Sequence, residues 1–353
     1  MKNILNLPFY ILAYKLFRRF GYPRLLPINV TIWATNKCDS HCKTCNIWNQ
    51  KRQKELSVEE WKKILITTGR TPLWFTIIGG EPFLRDDLDK IISIICEYNR
   101  PVFINISTNA LNTKKIGNMT VKILKVCETF KTRLTINVSI DEIEQKYDYL
   151  RGTIDGFTKV LKTVLVLQQI QRQTKYLNIG VNIVISKYNV ERLYDIFDYI
   201  YRNIRPNTIV TEIATPRKLF YLHDEKIKPG KVEYLKILDF LISSHLRKKN
   251  LTSYIVNKFR KRYYKLLKEN IISDKKIPCY AGIASAEILA NGEVVSCCML
   301  GESLGNLREY NYDFSMIWKS KSAEIIRNRI KNDKCFCSLA NTFYTNRIIY
   351  GNI

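Results

Sequence analysis

Residues 28–45 read INVTIWATNKCDSHCKTC: an apolar, β-branched run followed at once by Cys38-x-x-x-Cys42-x-x-Cys45. Its composition is that of a strand. A loop this tight can turn three thiolates toward one face of a metal cluster. Iron–sulfur clusters are usually held by four thiolates, so three leave one iron for an external chelator. Zinc bound by the same three would lack its fourth protein ligand. His41 lies inside the loop and is poorly placed to supply it.

Five more β-rich runs follow, at 73–78, 102–107, 134–140, 178–186 and 208–213, separated by amphipathic stretches such as 58–68, 87–98, 156–173 and 190–203. Ser57 and Glu60 form a capping box opening the first of these. Strands alternating with helices imply βαβ units and a parallel sheet. Most of the strand runs read as apolar on both faces, as in sheets buried on both sides. Six units predict an α/β fold, a partial (β/α)6 barrel with its site at the C-terminal ends of the strands. Beyond Pro216 the pattern changes to a helical region from Lys231 to about Asn270. Its segment 257–268 sets Phe259, Tyr263 and Leu266 on one face among Lys258, Arg260, Lys261, Arg262, Lys265 and Lys268. From Pro278 come short β-like runs, more cysteines and a helix near 322–331. The expected division is 1–27 as an N-terminal amphipathic helix, 28–230 as the core, 231–277 as a basic helical linker and 278–353 as a smaller C-terminal domain.

The Cys-x-x-x-Cys-x-x-Cys spacing after strand one resembles that of the radical S-adenosylmethionine (SAM) superfamily. Four further motifs carry the resemblance. Gly79-Gly80-Glu81-Pro82 follows the second strand, and Ser107-Thr108-Asn109 the third. Ser139-Ile140-Asp141 ends the fourth with Arg151-Gly152 after it, and Val184 lies on the fifth. Thr44 stands where the family usually has an aromatic residue. The resemblance implies that Cys38, Cys42 and Cys45 hold a [4Fe–4S] cluster whose unique iron is chelated by the methionine end of SAM. The cofactor is then cleaved reductively to a 5′-deoxyadenosyl radical. It further implies that Gly79, Gly80, Glu81 and Pro82 meet the methionine amino group, and that Ser107, Asn109, Ser139, Asp141 and Arg151 line the cofactor. Arg can grip a carboxylate through two parallel hydrogen bonds. Val184 is expected against adenine.

Ten cysteines occur in all, and five of them form a second group: Cys279, Cys297, Cys298, Cys335 and Cys337. The run from Cys279 through Gly292 to Cys297, with Asn306-Leu307 and Ile317-Trp318, is similar to the C-terminal extension called SPASM or its shorter form, twitch. That resemblance implies one auxiliary [4Fe–4S] cluster on Cys279, Cys297, Cys335 and Cys337, with Cys298 as substitute for its neighbour. A four-cysteine zinc site is the alternative. Cys96 and Cys127 fall on helical stretches and read as buried apolar residues.

The reaction implied is an oxidoreductase-type modification, in which a hydrogen atom is taken from a peptide or small-molecule substrate and an external one-electron donor is required. Glu212 and Arg217, at the end of the sixth strand, are candidate substrate contacts or an ordinary ion pair. The other readings are a non-catalytic metalloprotein that keeps the fold, or an RNA-modifying enzyme. The formal net charge of +25 raises the local concentration of anionic partners. No RNA-binding motif accompanies it, and basic charge alone gives only non-specific affinity. The apolar run 7–14 followed by Lys15, Arg18 and Arg19 is too short to span a bilayer and lacks a signal-cleavage pattern. It reads as a helix packed on its own domain, or as an interfacial helix in peripheral contact with a membrane. The expected location is the cytoplasm.

Overall fold

The computed structural model describes residues 6–51, 53–217, 219, 225–243, 251–273, 278–332 and 339–350. Six strands, β1 (Asn29–Thr35), β2 (Trp74–Gly79), β3 (Phe103–Thr108), β4 (Arg133–Ser139), β5 (Leu177–Ile185) and β6 (Thr208–Ile213), pair in parallel in chain order. Helices α1 (Leu7–Phe20), α2 (Val58–Thr68), α3 (Leu88–Ile94), α4 (Thr113–Phe130), α5 (Glu144–Arg151), α6 (Gly156–Gln171) and α7 (Leu193–Tyr199) precede or connect them. The Ser57–Glu60 capping box forms at the start of α2. This is the expected partial barrel of parallel strands.

The sheet then continues past β1. β7 (Ser285–Ile288) pairs parallel to β1, and β8 (Glu293–Val295) and β9 (Ser303–Asn306) add antiparallel, giving the order β6-β5-β4-β3-β2-β1-β7-β8-β9. Helices α8 (Lys231–Ser243) and α9 (Leu251–Ser273) follow the barrel strands, and α10 (Phe314–Lys319), α11 (Lys321–Asn332) and α12 (Ala340–Tyr350) close the chain. The C-terminal strands are therefore an extension of the barrel sheet, hydrogen-bonded to the strand that leads into the first cysteine loop.

One expectation fails. The strands are not apolar on both faces. Val30, Ile32, Phe75, Ile77, Ile104, Ile106, Leu134, Ile136, Val138, Val181 and Ile183 pack in register beneath the helices and are almost fully buried. The alternate positions Thr31, Thr76, Asn105, Ser107, Asn137, Ser139 and Asn182 give the opposite face a polar lining. Strand side chains alternate with a period of two, so one face feeds the core while the other surrounds an interior space.

Part of that interior is taken by α12. Asn341 accepts hydrogen bonds from Asn29 and Trp74 and donates to Thr31, at the N-terminal ends of β1 and β2. The Ala340 N–H donates to Glu212 at the C-terminal end of β6. The helix thus crosses the polar face from β6 to β1. Cys96 and Cys127 are fully buried in the core, as expected. α1 packs on the domain through Ala13, Tyr14 and Phe17.

Candidate functional site

The first cysteine loop is braced from three directions. Gly80 and Glu81 N–H groups donate to Thr35 and Lys37 carbonyls at 2.7 and 2.8 Å. Contact here is so close that a Cβ on Gly79 would lie 2.1 Å from the Thr35 oxygen, and one on Gly80 2.1 Å from the Lys37 oxygen. The glycines of the Gly-Gly-Glu-Pro turn therefore let two backbones meet. From the other side, the Lys43 N–H donates to Leu150 O at 3.0 Å, and a Cβ on Gly152 would lie 2.5 Å from His41 O. The Trp48 indole N–H caps the Cys45 carbonyl at 3.0 Å and its ring packs on His41. Arg85 ties the end of β1 down, donating to Ala34 O and Leu56 O while chelating Asp87.

Glu81 is buried and turned inward. Its carboxylate accepts from Phe83 N, Thr108 Oγ1 and Asn109 N at 3.0, 2.9 and 2.6 Å. Burial pushes its pKa up to about 7 against those hydrogen bonds. Pro82 opens the short turn that follows. The Asn109 amide donates to Asp39 and Ser40 inside the cysteine loop. Glu81 thus locks the turns after β2 and β3 to one another, and Asn109 locks both to the loop after β1.

Across the site, Asp141 binds Arg151 at 2.6 Å through one oxygen and accepts the Val184 N–H at 2.7 Å through the other. Asn189 donates to the carbonyls of both Asp141 and Val184. The Arg151 Nε is buried without a hydrogen-bond partner, and Cys42 is an electrostatic neighbour of its guanidinium. An uncompensated donor of this kind costs free energy until an acceptor arrives. Ser107 accepts from Asn182, which pairs with Ser139 across β4 and β5. The structure therefore brings Gly79, Gly80, Glu81, Pro82, Ser107, Asn109, Ser139, Asp141, Arg151 and Val184 to the C-terminal ends of β2 to β5, around the loop that carries Cys38, Cys42 and Cys45.

Burial pushes the Cys38 and Cys42 thiols up to about 12 and about 11, and raises Cys45 as well. Buried thiols of this kind ionise when a metal compensates the charge. Cys38 and Cys42, and Cys42 and Cys45, are electrostatic neighbours, and a set of three soft thiol donors on one loop fits an iron–sulfur cluster.

Cys298 shares a buried cluster with Trp33, Ile47, Leu289 and Val295, against which Cys38 and Cys45 also pack. Its N–H donates to Glu287 at 2.9 Å, and the same carboxylate accepts the Trp33 indole N–H at 3.0 Å. Cys297 instead has Cys279 as an electrostatic neighbour, and burial pushes its thiol up to about 12. The Ala281 N–H already points at the Cys279 sulfur, 3.4 Å away. Adjacent cysteines thus serve opposite sides: Cys297 toward Cys279, Cys298 toward the first loop. Cys335 and Cys337 lie outside the described residues. Glu212 and Arg217 form a largely buried ion pair at 3.0 Å, not a surface one.

Arg85, Trp48, Asn189 and Glu287 were not anticipated from sequence. Glu287 alone left a signal, a single acid inside the apolar run 283–290.

The radical SAM superfamily model matches residues 34–200, and that of the SPASM iron–sulfur cluster-binding domain matches residues 279–338. Among curated proteins, GTP 3′,8-cyclase of Helicobacter pylori (strain HPAG1) is 29% identical over 185 residues, 48% of this chain and 51% of that protein. GTP 3′,8-cyclase of Staphylococcus aureus (strain JH9) is 34% identical over 125 residues, 35% of this chain and 33% of that one. The chain spans about half the length, or less, of these relatives. Among solved structures, Streptococcus suis SuiB bound to S-adenosylmethionine superposes with a TM-score of 0.60 at 16% identity, over 90% of this chain and 71% of that one. Native anSMEcpe with bound AdoMet gives 0.60 at 15%, over 87% and 85%. At these identities the likeness is one of fold. The chain belongs to the radical SAM superfamily and carries a C-terminal SPASM domain, so its cofactors are a [4Fe–4S] cluster, S-adenosylmethionine and an additional iron–sulfur cluster.

Proposed function

We propose that this enzyme takes a hydrogen atom from a peptide or small-molecule substrate held over the polar face of the sheet. In this reading Cys38, Cys42 and Cys45 hold the SAM-binding cluster. Cys279 and Cys297, with Cys335 and Cys337, hold the auxiliary one. When bound, the cluster and S-adenosylmethionine together supply reductive cleavage and hydrogen-atom abstraction. The chain's own residues bind and orient. Backbone of Gly79 and Gly80 faces the methionine amino group, while Glu81 stands behind it as the tie between turns. Arg151, steered by Asp141, presents its spare N–H to the carboxylate. Ser107, Asn109 and Ser139 line the cofactor, and Val184 packs on adenine.

The observation that carries the reading is the shared packing of Cys38, Cys45 and Cys298. It packs the first cysteine loop against the turn that carries Cys297 and Cys298, and in this reading a substrate held at that junction would be within reach of both cysteine groups. A peptide substrate is favoured by extent: SuiB bound to its precursor peptide SuiA superposes over 89% of this chain. The GTP 3′,8-cyclases match less than half of it, and a phosphorylated small molecule facing Arg217 is the second reading. The enzyme works in the cytoplasm with an external one-electron donor. α1 makes a peripheral membrane contact; among the described residues no helix is long and apolar enough to cross a membrane.

The test is 5′-deoxyadenosine formation by anaerobically reconstituted protein with dithionite and S-adenosylmethionine, repeated with Cys42→Ala. Candidate peptides and nucleotides deuterated at carbon are then added. Deuterium in the 5′-deoxyadenosine identifies the substrate. Absence of product from iron-loaded protein with every candidate would overturn the reading in favour of a non-catalytic metalloprotein.

A further inference from the structure

We propose that the outer face of α1 and the basic recess at its C-terminal end form a docking site for an anionic phospholipid surface. This rests on the peripheral contact proposed above and names its lipid chemistry and its residues.

α1 is apolar on two sides. Its inner side is buried, yet Phe9, Leu12, Leu16 and Phe20 are 62%, 58%, 38% and 66% exposed. At 3.6 residues per turn these four fall within an arc of about 80°. Lys15 and Arg19, also exposed, flank that arc on one edge. An apolar stripe bordered by cations is the pattern of a helix lying in a membrane interface. Its 14 residues reach about 21 Å, short of the ~30 Å hydrocarbon core.

A recess of about 180 Å³ opens where the helix ends, next to Phe20. Arg18, Arg19, Arg24, Arg327 and Lys331 line it, against one acid, Glu324, which pairs with Arg24. Arg327 is only 6% exposed. Its Nε and Nη2 donate to the neutral carbonyls of Gly282 and Trp318. Its Nη1 is buried with no hydrogen-bond partner. Burial pushes its pKa down to about 10. The guanidinium lies over the Trp318 and Phe17 rings with Glu324 as an electrostatic neighbour, and its spare donor is stabilised further by an incoming anion. A lipid phosphate next to the apolar stripe supplies that anion and the acyl surface together. A second copy of the chain fits poorly, because it brings the same +25 charge to the contact.

The experiment is cosedimentation of the cluster-loaded full chain with vesicles of phosphatidylcholine, alone or mixed with phosphatidylglycerol. Binding is expected to be markedly stronger to the anionic vesicles and to weaken with salt. Lys15→Gln with Arg19→Gln should lower anionic-vesicle partitioning about 25-fold, at about fivefold per cation. Phe9→Ser with Phe20→Ser should abolish it while leaving 5′-deoxyadenosine formation unchanged. Arg327→Gln should weaken only the anionic preference; if its thermal melt shows misfolding, exposed Arg24→Gln reads the same recess. Equal binding to neutral and anionic vesicles would overturn the anionic site and leave the peripheral contact standing. No binding to either would overturn both. Displacement by inorganic phosphate at matched ionic strength would make the recess a free-phosphate site and overturn the docking assignment. A dimer that Phe9→Ser with Phe20→Ser dissociates would give the face to a second copy and do the same.

Discussion

Gly80→Ala is the sharpest probe of how the cluster loop is held. Gly80 needs no unusual backbone conformation, so the cost of adding a methyl is steric. The new Cβ would lie 2.1 Å from Lys37 O and 2.5 Å from Lys37 C. Carbon–oxygen contacts settle at about 3.3 Å, so one backbone must retreat by about 1.2 Å. That retreat pulls apart the bonds from Gly80 N to Thr35 O and from Glu81 N to Lys37 O. Two backbone hydrogen bonds at about 1 kcal/mol each, plus about 1–3 kcal/mol of overpacking strain, total about 3–5 kcal/mol. Native proteins have only about 5–15 kcal/mol to lose. The displacement also falls on the residue before Cys38. Urea unfolding of the apo-protein should show the stability loss, and iron content after reconstitution should fall. Gly21→Ala is the control: its φ of 77° disfavours alanine, but nothing lies within 4 Å of the added Cβ, so the cost is about 1–2 kcal/mol with iron content unchanged. A Gly80→Ala protein with wild-type midpoint and iron loading would refute the brace.

Arg151→Lys should weaken S-adenosylmethionine binding about 10- to 100-fold, since an ammonium cannot both hold Asp141 and present a second N–H in a fixed fork; anaerobic equilibrium dialysis checks this, and an unchanged affinity would sink the assignment. Cys297→Ser should remove about four irons per chain while Cys298→Ser keeps them, read by iron and sulfide analysis in a Cys42→Ala background; the reverse result would exchange the two roles. Arg85 holds the Asp87 carboxyl below the usual carboxylate range. A lowered folded-state pKa gives stability that is present above the unfolded value and lost as pH falls through the folded one. The melting difference between wild-type and Asp87→Asn apo-protein should therefore be largest near pH 7 and shrink on acidification, and a difference independent of pH would contradict the pairing.

The strand order, the first cysteine loop and the turns after β2, β3 and β4 were legible because each is local. An apolar run followed by a motif needs no distant partner to be recognised. What the sequence hid is long-range. The strand pattern read as apolar on both faces because Trp33, Ile78 and Val184 interrupt an otherwise polar interior side. Only the register across β1 to β5 separates the two faces. α4 carries Gly117, Asn118 and Thr120 in its first half, which weaken its helical signal. α12 is built from Asn341, Thr342, Phe343, Tyr344 and Thr345, poor helix formers that are helical because they meet Asn29, Thr31, Trp74 and Tyr263. Glu81 was expected at the cofactor, yet its oxygens are taken by Phe83, Thr108 and Asn109, a pairing that only the folded turns create.

The pairing of β1 with β7 explains why two cysteine groups some 240 residues apart (Cys45 and Cys279 to Cys298) belong to one device. β1 runs directly into the loop holding Cys38, and β7 runs through β8 into the turn holding Cys297 and Cys298. Because the strands are in register, Trp33 on β1 and Glu287 on β7 reach one another, and the carboxylate's second oxygen takes the Cys298 N–H. A buried carboxylate is costly unless each oxygen is satisfied, and here the two donors that satisfy it come from the two cysteine-bearing segments. Separating those segments would take the Trp33 indole away and leave one Glu287 oxygen buried without its donor, which penalises any drift between them. A polar residue in the core thus fixes the distance between the two cysteine groups, which hydrophobic packing alone would leave free to slide.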